Sequence, residues 1–483
     1  MIPSKVNDAV ALAARGQGRG PRGDLSAAAL IARMENVPFS QWHTKARVVM
    51  GSATFFDAFN ALSLAFALPV LIRLWHISPA QSGYLIAASY VGQLAGALVF
   101  SGLAERIGRV FSATAAVAIM SVMSLGCALA GNFSVLLLCR LVQGIGVGGE
   151  MPVAAAYIGE LSQTHGRGRF FLLYEMIFPV GLMATGQIGA WVVPAFGWRT
   201  IFLIGAIPGL IITFLVARLP ESPRWLISRG RLEEAEAVVQ QVEASTTRRF
   251  FSEANSEDAS VASAAPFSPR APAVLGRAEQ SRWSELLSHF YRGRTLIVWA
   301  LWASAFFVAN GLNNWMPTLY NTVYHLGLRQ SLRAASMTNV AQVLILLLCA
   351  FSIDRIGRRN WTITAFVVGG ALLALLGLTG AQSARSVMIW GTLSYGIIGS
   401  TNAVLYLYTP EIYPTRMRAI GTGLATSWLR LASAVGPWLV GVLVARSGIA
   451  SVFWMFAGVS VVGSLAALHM IETRERRLEE IAP

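Results

Sequence analysis

Long apolar stretches alternate with short polar joints along this chain, and the apolar stretches set its architecture. A helix needs about 20 mainly apolar residues to cross the hydrocarbon core of a bilayer. Twelve stretches meet that requirement: 48–72, 81–103, 110–130, 134–157, 169–193, 199–217, 293–318, 334–353, 361–380, 385–408, 419–445 and 449–470. The pattern predicts an all-α membrane protein. A polar interruption at 218–292 divides the spans into six and six. Within it, Arg231 to Glu243 is rich in Glu and Ala and reads as a helix. The following Ser-, Ala-, Pro- and Arg-rich run to Gln280 has too little apolar content to fold and reads as linker. The predicted plan is a tail at 1–46 with a short amphipathic segment near its end, a six-helix half at 47–217, a loop at 218–292, a second half at 293–470 and a tail at 471–483.

Composition agrees and charge supplies the orientation. Of the 483 residues, 55% are hydrophobic and 13% charged, against roughly 25% charged in soluble domains. A net charge of +14 raises the question of nucleic acid, but the arginines sit in short clusters between apolar segments, not on a soluble basic face. Arg106 and Arg109 follow the second span, Arg167 the fourth, Arg355 and Arg358 the eighth, and Arg416 and Arg418 the tenth. Positive charge favours the cytoplasmic side, so both termini are expected there. No signal peptide is read at the N-terminus. The Arg-rich, Lys-poor usage fits a bacterial inner membrane. Cys127, Cys139 and Cys349 lie in apolar stretches without metal-ligand spacing. No metal or cofactor is implied, and no nucleophile–base spacing suggests an enzyme.

The halves repeat each other. Gly102-Leu-Ala-Glu105-Arg106-Ile-Gly108-Arg109 is answered by Ser352-Ile-Asp354-Arg355-Ile-Gly357-Arg358. Tyr157-Ile-Gly-Glu160, with Arg167 beyond it, is answered by Tyr408-Thr-Pro-Glu411, with Arg416 and Arg418 beyond it. Acids and arginines in these four loops predict a cytoplasmic gate that holds the halves together and breaks when the inside opens. Positive-inside anchoring alone would explain the arginines but not the repeated acids.

These residues resemble the signature of the major facilitator superfamily, across all twelve spans. Arg140-Leu-Val-Gln-Gly-Ile-Gly146, Pro220-Glu221-Ser222-Pro223-Arg224, Pro410-Glu411-Ile-Tyr-Pro414-Thr-Arg416 and the tail from Glu472 are similar to its sugar-porter and organic-ion branch. Phe55-Phe56-Asp57-Ala58-Phe59-Asn60 and Arg430-Leu-Ala-Ser-Ala-Val-Gly436-Pro437 resemble the aromatic-acid, niacin and organic-anion carriers. Asn60 stands where that group usually has a second acid. Phe307 and Val308 stand where sugar porters place a hydroxyl-reading glutamine pair, and neither can bond a hydroxyl. The resemblance implies alternating access of two halves around a central site.

Charges inside a membrane are costly and mark function. Arg430 is the candidate holder of a substrate carboxylate, because its fork makes two parallel bonds and never deprotonates. Asp57 is the candidate proton site. Family resemblance implies that it pairs with Arg140 and that protonation releases the pair. Glu150 is either a second proton site or a fixed partner of an arginine. Asn313, Asn314, Asn402 and Gln342 are candidate polar contacts; Phe56, Phe59, Trp315 and Trp428 are candidate ring contacts. The resulting expectation is a monomeric, proton-coupled carrier of a small organic anion, such as nicotinate or a benzoate-like acid. Its partners are that substrate, protons and the lipid bilayer, with no nucleic acid. The alternatives are a sugar or polyol porter and a non-transporting receptor on the same fold.

Overall fold

A computed structural model describes residues 26–37, 40–161, 176–253, 283–414 and 417–474. Twelve long helices form it: α1 Gln41–Trp75, α2 Pro79–Ile107, α3 Arg109–Leu129, α4 Phe133–Leu161, α5 Ile177–Phe196, α6 Arg199–Ala217, α7 Arg292–Thr322, α8 Leu328–Ile356, α9 Arg358–Leu378, α10 Thr392–Glu411, α11 Arg418–Ser447 and α12 Ile449–Leu468. Eleven are long and apolar enough to cross a membrane by themselves. The other is α10, whose buried face carries Ser394, Ser400 and Thr401. It runs on directly from Ala384–Ser386 and a π-helical turn, Val387–Gly391, which supplies the apolar start of the tenth span. Apolar side chains such as Leu98, Phe111, Phe196, Phe351 and Leu378 remain exposed around the bundle, as a lipid-facing surface requires.

The halves share one packing scheme. In the first, α1 packs on α5 and α6, α2 on α4, and α3 on α6. In the second, α7 packs on α11 and α12, α8 on α10, and α9 on α12. Between halves, α2 meets α11, α5 meets α8, and α1 meets α7. The chain is thus a major facilitator fold of two pseudo-symmetric six-helix halves.

Two contacts determine how closely these helices approach. Cβ atoms added at Gly144 and Gly148 of α4 would lie 2.1 and 2.0 Å from the carbonyl oxygens of Ser89 and Gln93 of α2, so only glycine permits this backbone-to-backbone approach. Between halves, a Cβ at Gly83 of α2 would lie 3.1 Å from the Trp438 Cα, and one at Gly441 would lie 2.5 Å from the Pro79 carbonyl. The indole N–H of Trp315 donates to the Pro437 carbonyl at 2.8 Å. The first two contacts hold α2 of one half against α11 of the other, and the Trp315 bond ties α7 to α11 within the second half.

The terminal face carries a separate helical layer. Ala27–Asn36 is capped by the Ser26 hydroxyl, which accepts from Ala29 N–H. It packs through Leu30 against Trp225 and Leu226 of Pro223–Ser228 and against Ala235 and Val238 of Leu232–Glu253. Arg33 donates twice to the Glu243 carboxylate, at 3.0 and 2.7 Å, and that pairing raises its pKa further above the ordinary arginine value. The sequence places the start of the first span at 48; α1 begins at Gln41 because Ser40 and His43 form a capping box ahead of the apolar run. Likewise the helix predicted to end at Glu243 continues to Glu253. Most of the predicted linker lies outside the described residues.

Candidate functional site

At the terminal face the repeated acids and arginines pair within each half. Arg109 reaches Glu105 at 2.9 Å and Glu160 at 3.0 Å. Arg358 reaches Asp354 at 3.1 Å and Glu411 at 3.7 Å. Arg418 donates to the Tyr413 carbonyl at 3.1 Å instead. Arg106 and Arg355 are exposed and make no ion pair among the described residues in this arrangement. Arg167 and Arg416 lie outside the described residues. In this arrangement the described members form two equivalent clusters, one within each half.

A further pair of acids completes the repeat and was not singled out from sequence. Glu221 accepts the backbone N–H of Arg109 at 3.0 Å and of Val110 at 3.1 Å, at the start of α3. Glu472 accepts those of Arg358 at 3.0 Å and Arg359 at 3.1 Å, at the start of α9. Each carboxylate lies on a positive-φ glycine, Gly108 at 117° and Gly357 at 91°, where a Cβ would meet it at 2.3 and 2.4 Å. A helix N-terminus presents unpaired N–H groups and positive potential, so an acid there is favoured. The signal was present: positions 221 and 472 are separated like 160 and 411. Replacing Glu221 with Ala leaves three N–H groups, those of Arg109, Val110 and Ser222, without their charged acceptor. The expected loss is about 1–3 kcal/mol of stability, read as a lowered midpoint in thermal unfolding of the purified protein.

Charged groups also meet at the centre, in an arrangement that differs from expectation. Asp57 is buried, with one carboxylate oxygen lacking a hydrogen-bond partner. It lies within electrostatic reach of Glu150 and Arg430. Glu150 is completely buried and accepts from the Thr54 hydroxyl at 2.9 Å. Arg430, from the second half, crosses the junction to donate to the Gly148 carbonyl of α4 at 3.4 Å, and donates to its own helix at Thr426 at 3.2 Å. Its Nε has no partner. Tyr406 of α10 is within electrostatic reach of the guanidinium. The indole of Trp302 packs edge-on against the Tyr406 ring at 4.7 Å, and its N–H donates to Thr409 at 2.9 Å.

The expected pairing of Asp57 with Arg140 does not form. Arg140 donates to the Gln143 side chain at 2.6 Å and to the carbonyls of Asn60 at 3.0 Å and Ala61 at 3.5 Å. Asn60 accepts in turn from Gln143 at 3.0 Å. The Asn60 amide completes a neutral cage in which the two terminal nitrogens of Arg140 are bonded inside its own half, while its Nε has no partner. The cation within electrostatic reach of the α1 acid is Arg430 instead, without a direct ion pair among the described residues.

The other candidates divide. Asn314 donates to Tyr90 at 3.1 Å, across the halves. Gln342 accepts from Tyr395 at 2.6 Å. Asn313 is buried, and the Asn402 side-chain oxygen is buried without a partner. Trp315 and Phe59 are core: the first is 1% exposed and tied to Pro437, the second fully buried. They offer no free ring face, which corrects their assignment as ring contacts. Trp428 packs on Trp299 at 5.5 Å and is 38% exposed. Phe56 packs on Phe59 and borders a cavity of about 560 Å³ between α1 and α5, lined also by Arg47, Ser52 and Phe55. Phe307 packs on Phe456 at 6.1 Å and Val308 is fully buried. Among the described residues no group of acids, histidines and cysteines could hold a metal ion.

The sugar (and other) transporter family model matches residues 30–483. The chain belongs to that family. The niacin transporter NiaP of Acinetobacter baylyi is 32% identical over 464 residues, covering 94% of this chain and 99% of that protein. The gallate transporter of Pseudomonas putida is 27% identical, covering 82% and 83%. The partially occluded inward-open structure of the xylose transporter XylE from E. coli superposes with a TM-score of 0.70 at 20% identity, over 91% of this chain and 100% of that one; this likeness concerns the fold. This family member is an integral membrane transporter, not an enzyme.

Proposed function

We propose that this transporter carries a small organic monocarboxylate, with aromatic acids such as nicotinate among its substrates, in symport with protons. The observation that carries the reading is the position of Arg430: a buried guanidinium at the junction of the halves, with one nitrogen unpartnered and a buried acid from the opposite half within its electrostatic reach. A substrate carboxylate takes two parallel bonds from that fork. It competes with Asp57 for the same cation, so a proton on Asp57 favours loading. Glu150 adds a second acid to the cluster. The protein works as a monomer in a bacterial inner membrane with its termini in the cytoplasm.

The names of the niacin and gallate transporters agree with an aromatic carboxylate. A sugar is disfavoured, because the positions expected to read hydroxyls are the packed Phe307 and Val308. Proteoliposomes holding the purified protein test the proposal. Radiolabelled nicotinate or benzoate should accumulate above equilibrium under an inward proton gradient, and a protonophore should abolish the accumulation. Xylose flux without carboxylate flux, or binding of carboxylate with no flux, would replace this reading by one of its rivals.

A further inference from the structure

Tyr90 has a hydrogen-bond donor to spare. It is 7% exposed on α2, and its oxygen accepts the Asn314 side-chain N–H from α7 at 3.1 Å. The direction of that bond is forced. The same amide nitrogen donates to the Asn310 carbonyl at 2.9 Å, and a carbonyl oxygen only accepts, so this end of the amide is the NH₂. With its oxygen accepting, the Tyr90 hydroxyl retains its own proton, and no described residue takes it. A buried donor without an acceptor is costly. The charge within reach of Tyr90 is Arg140, whose bonds among the described residues go to uncharged oxygens. The potential there is positive, which favours a lone pair over another donor.

The position of Tyr90 relative to Arg430 follows from α4, used as a ruler. Arg430 bonds the carbonyl of Gly148, which packs on Gln93 of α2. Gly144, one turn earlier, packs on Ser89, the neighbour of Tyr90. Four residues of helix rise by roughly 6 Å. Both side chains reach across the junction between halves, at levels about one helical turn apart.

We propose that Tyr90 is the far end of the substrate site: its hydroxyl donates to a lone pair on the ring of the bound acid and selects pyridine carboxylates over plain benzoate. This rests on the carboxylate reading of Arg430 and adds the ring chemistry. Dissociation constants for nicotinate, isonicotinate and benzoate, measured on the purified full chain, test it. A neutral hydrogen bond contributes roughly five- to tenfold in affinity. The native protein should bind nicotinate or isonicotinate tighter than benzoate by that factor. Tyr90→Phe should bring the three dissociation constants together. The ratio is taken within the variant, so that loss of the Asn314 bond bears on all three acids alike. Equal native affinities overturn the inference. So does a variant that retains the preference, or one that weakens all three acids alike. Failure of all three acids to bind the native protein is a different result, and removes the carboxylate reading itself.

Discussion

Arg430→Gln should weaken carboxylate binding by at least thirtyfold while leaving the bundle folded. The guanidinium is the cation within reach of Asp57 at the junction of the halves, and glutamine replaces its five donors with two and removes the charge. Truncating one member of a buried charge pair typically costs about 2–5 kcal/mol, and about 1.4 kcal/mol is tenfold in affinity. Binding of nicotinate and benzoate, followed by the ligand-induced rise in unfolding temperature, reads the effect directly. Folding should survive because the bonds Arg430 makes within the protein are two long contacts to carbonyls, at 3.2 and 3.4 Å. Arg430→Lys separates charge from geometry: it keeps the cation but loses the fork. Recovery by Lys would mean that charge alone suffices. Full binding by Arg430→Gln would make the arginine a structural tie.

What could be read from sequence divides along the same line as what is local. The spans are legible because each is a continuous apolar run, and their ends shift where caps intervene. α1 shows the intervention: the Ser40–His43 capping box starts it at Gln41, ahead of the apolar run. The repeat is legible because it is a pattern of positions. Glu221 and Glu472 complete that pattern, yet they fall outside the spans, where a motif is easily taken as a family mark without a physical role. Partner choice in the centre is not local. That Arg140 bonds Gln143, three residues on, could have been read from helix periodicity. That Asp57 comes within electrostatic reach of Arg430 could not, since α1 and α11 belong to different halves and their relative placement comes from packing. Tyr90 and Tyr406 were missed for a related reason: an isolated tyrosine in a span is ordinary until the helix opposite is known.

Asp57→Asn should uncouple the transporter. Asparagine has nearly the shape of a protonated aspartate but cannot gain or lose a charge, so it fixes α1 in the state that leaves Arg430 to the substrate. Three results are expected in proteoliposomes. Exchange of external for internal nicotinate should continue at a rate within a few-fold of native. Accumulation driven by a proton gradient should disappear. The dependence of nicotinate affinity on pH should flatten, whereas in the native protein affinity rises as pH falls, because protonating Asp57 removes the carboxylate that competes for Arg430. Glu150 sets the limit on this argument. It is completely buried beside Asp57 and bonded to Thr54 at 2.9 Å, so a second proton could be carried there. If Asp57→Asn still accumulates nicotinate on a proton gradient, coupling resides in Glu150. Glu150→Gln should then abolish what Asp57→Asn did not. If both variants accumulate normally, protons enter by neither acid, and the pairing of Asp57 with Arg430 is structural.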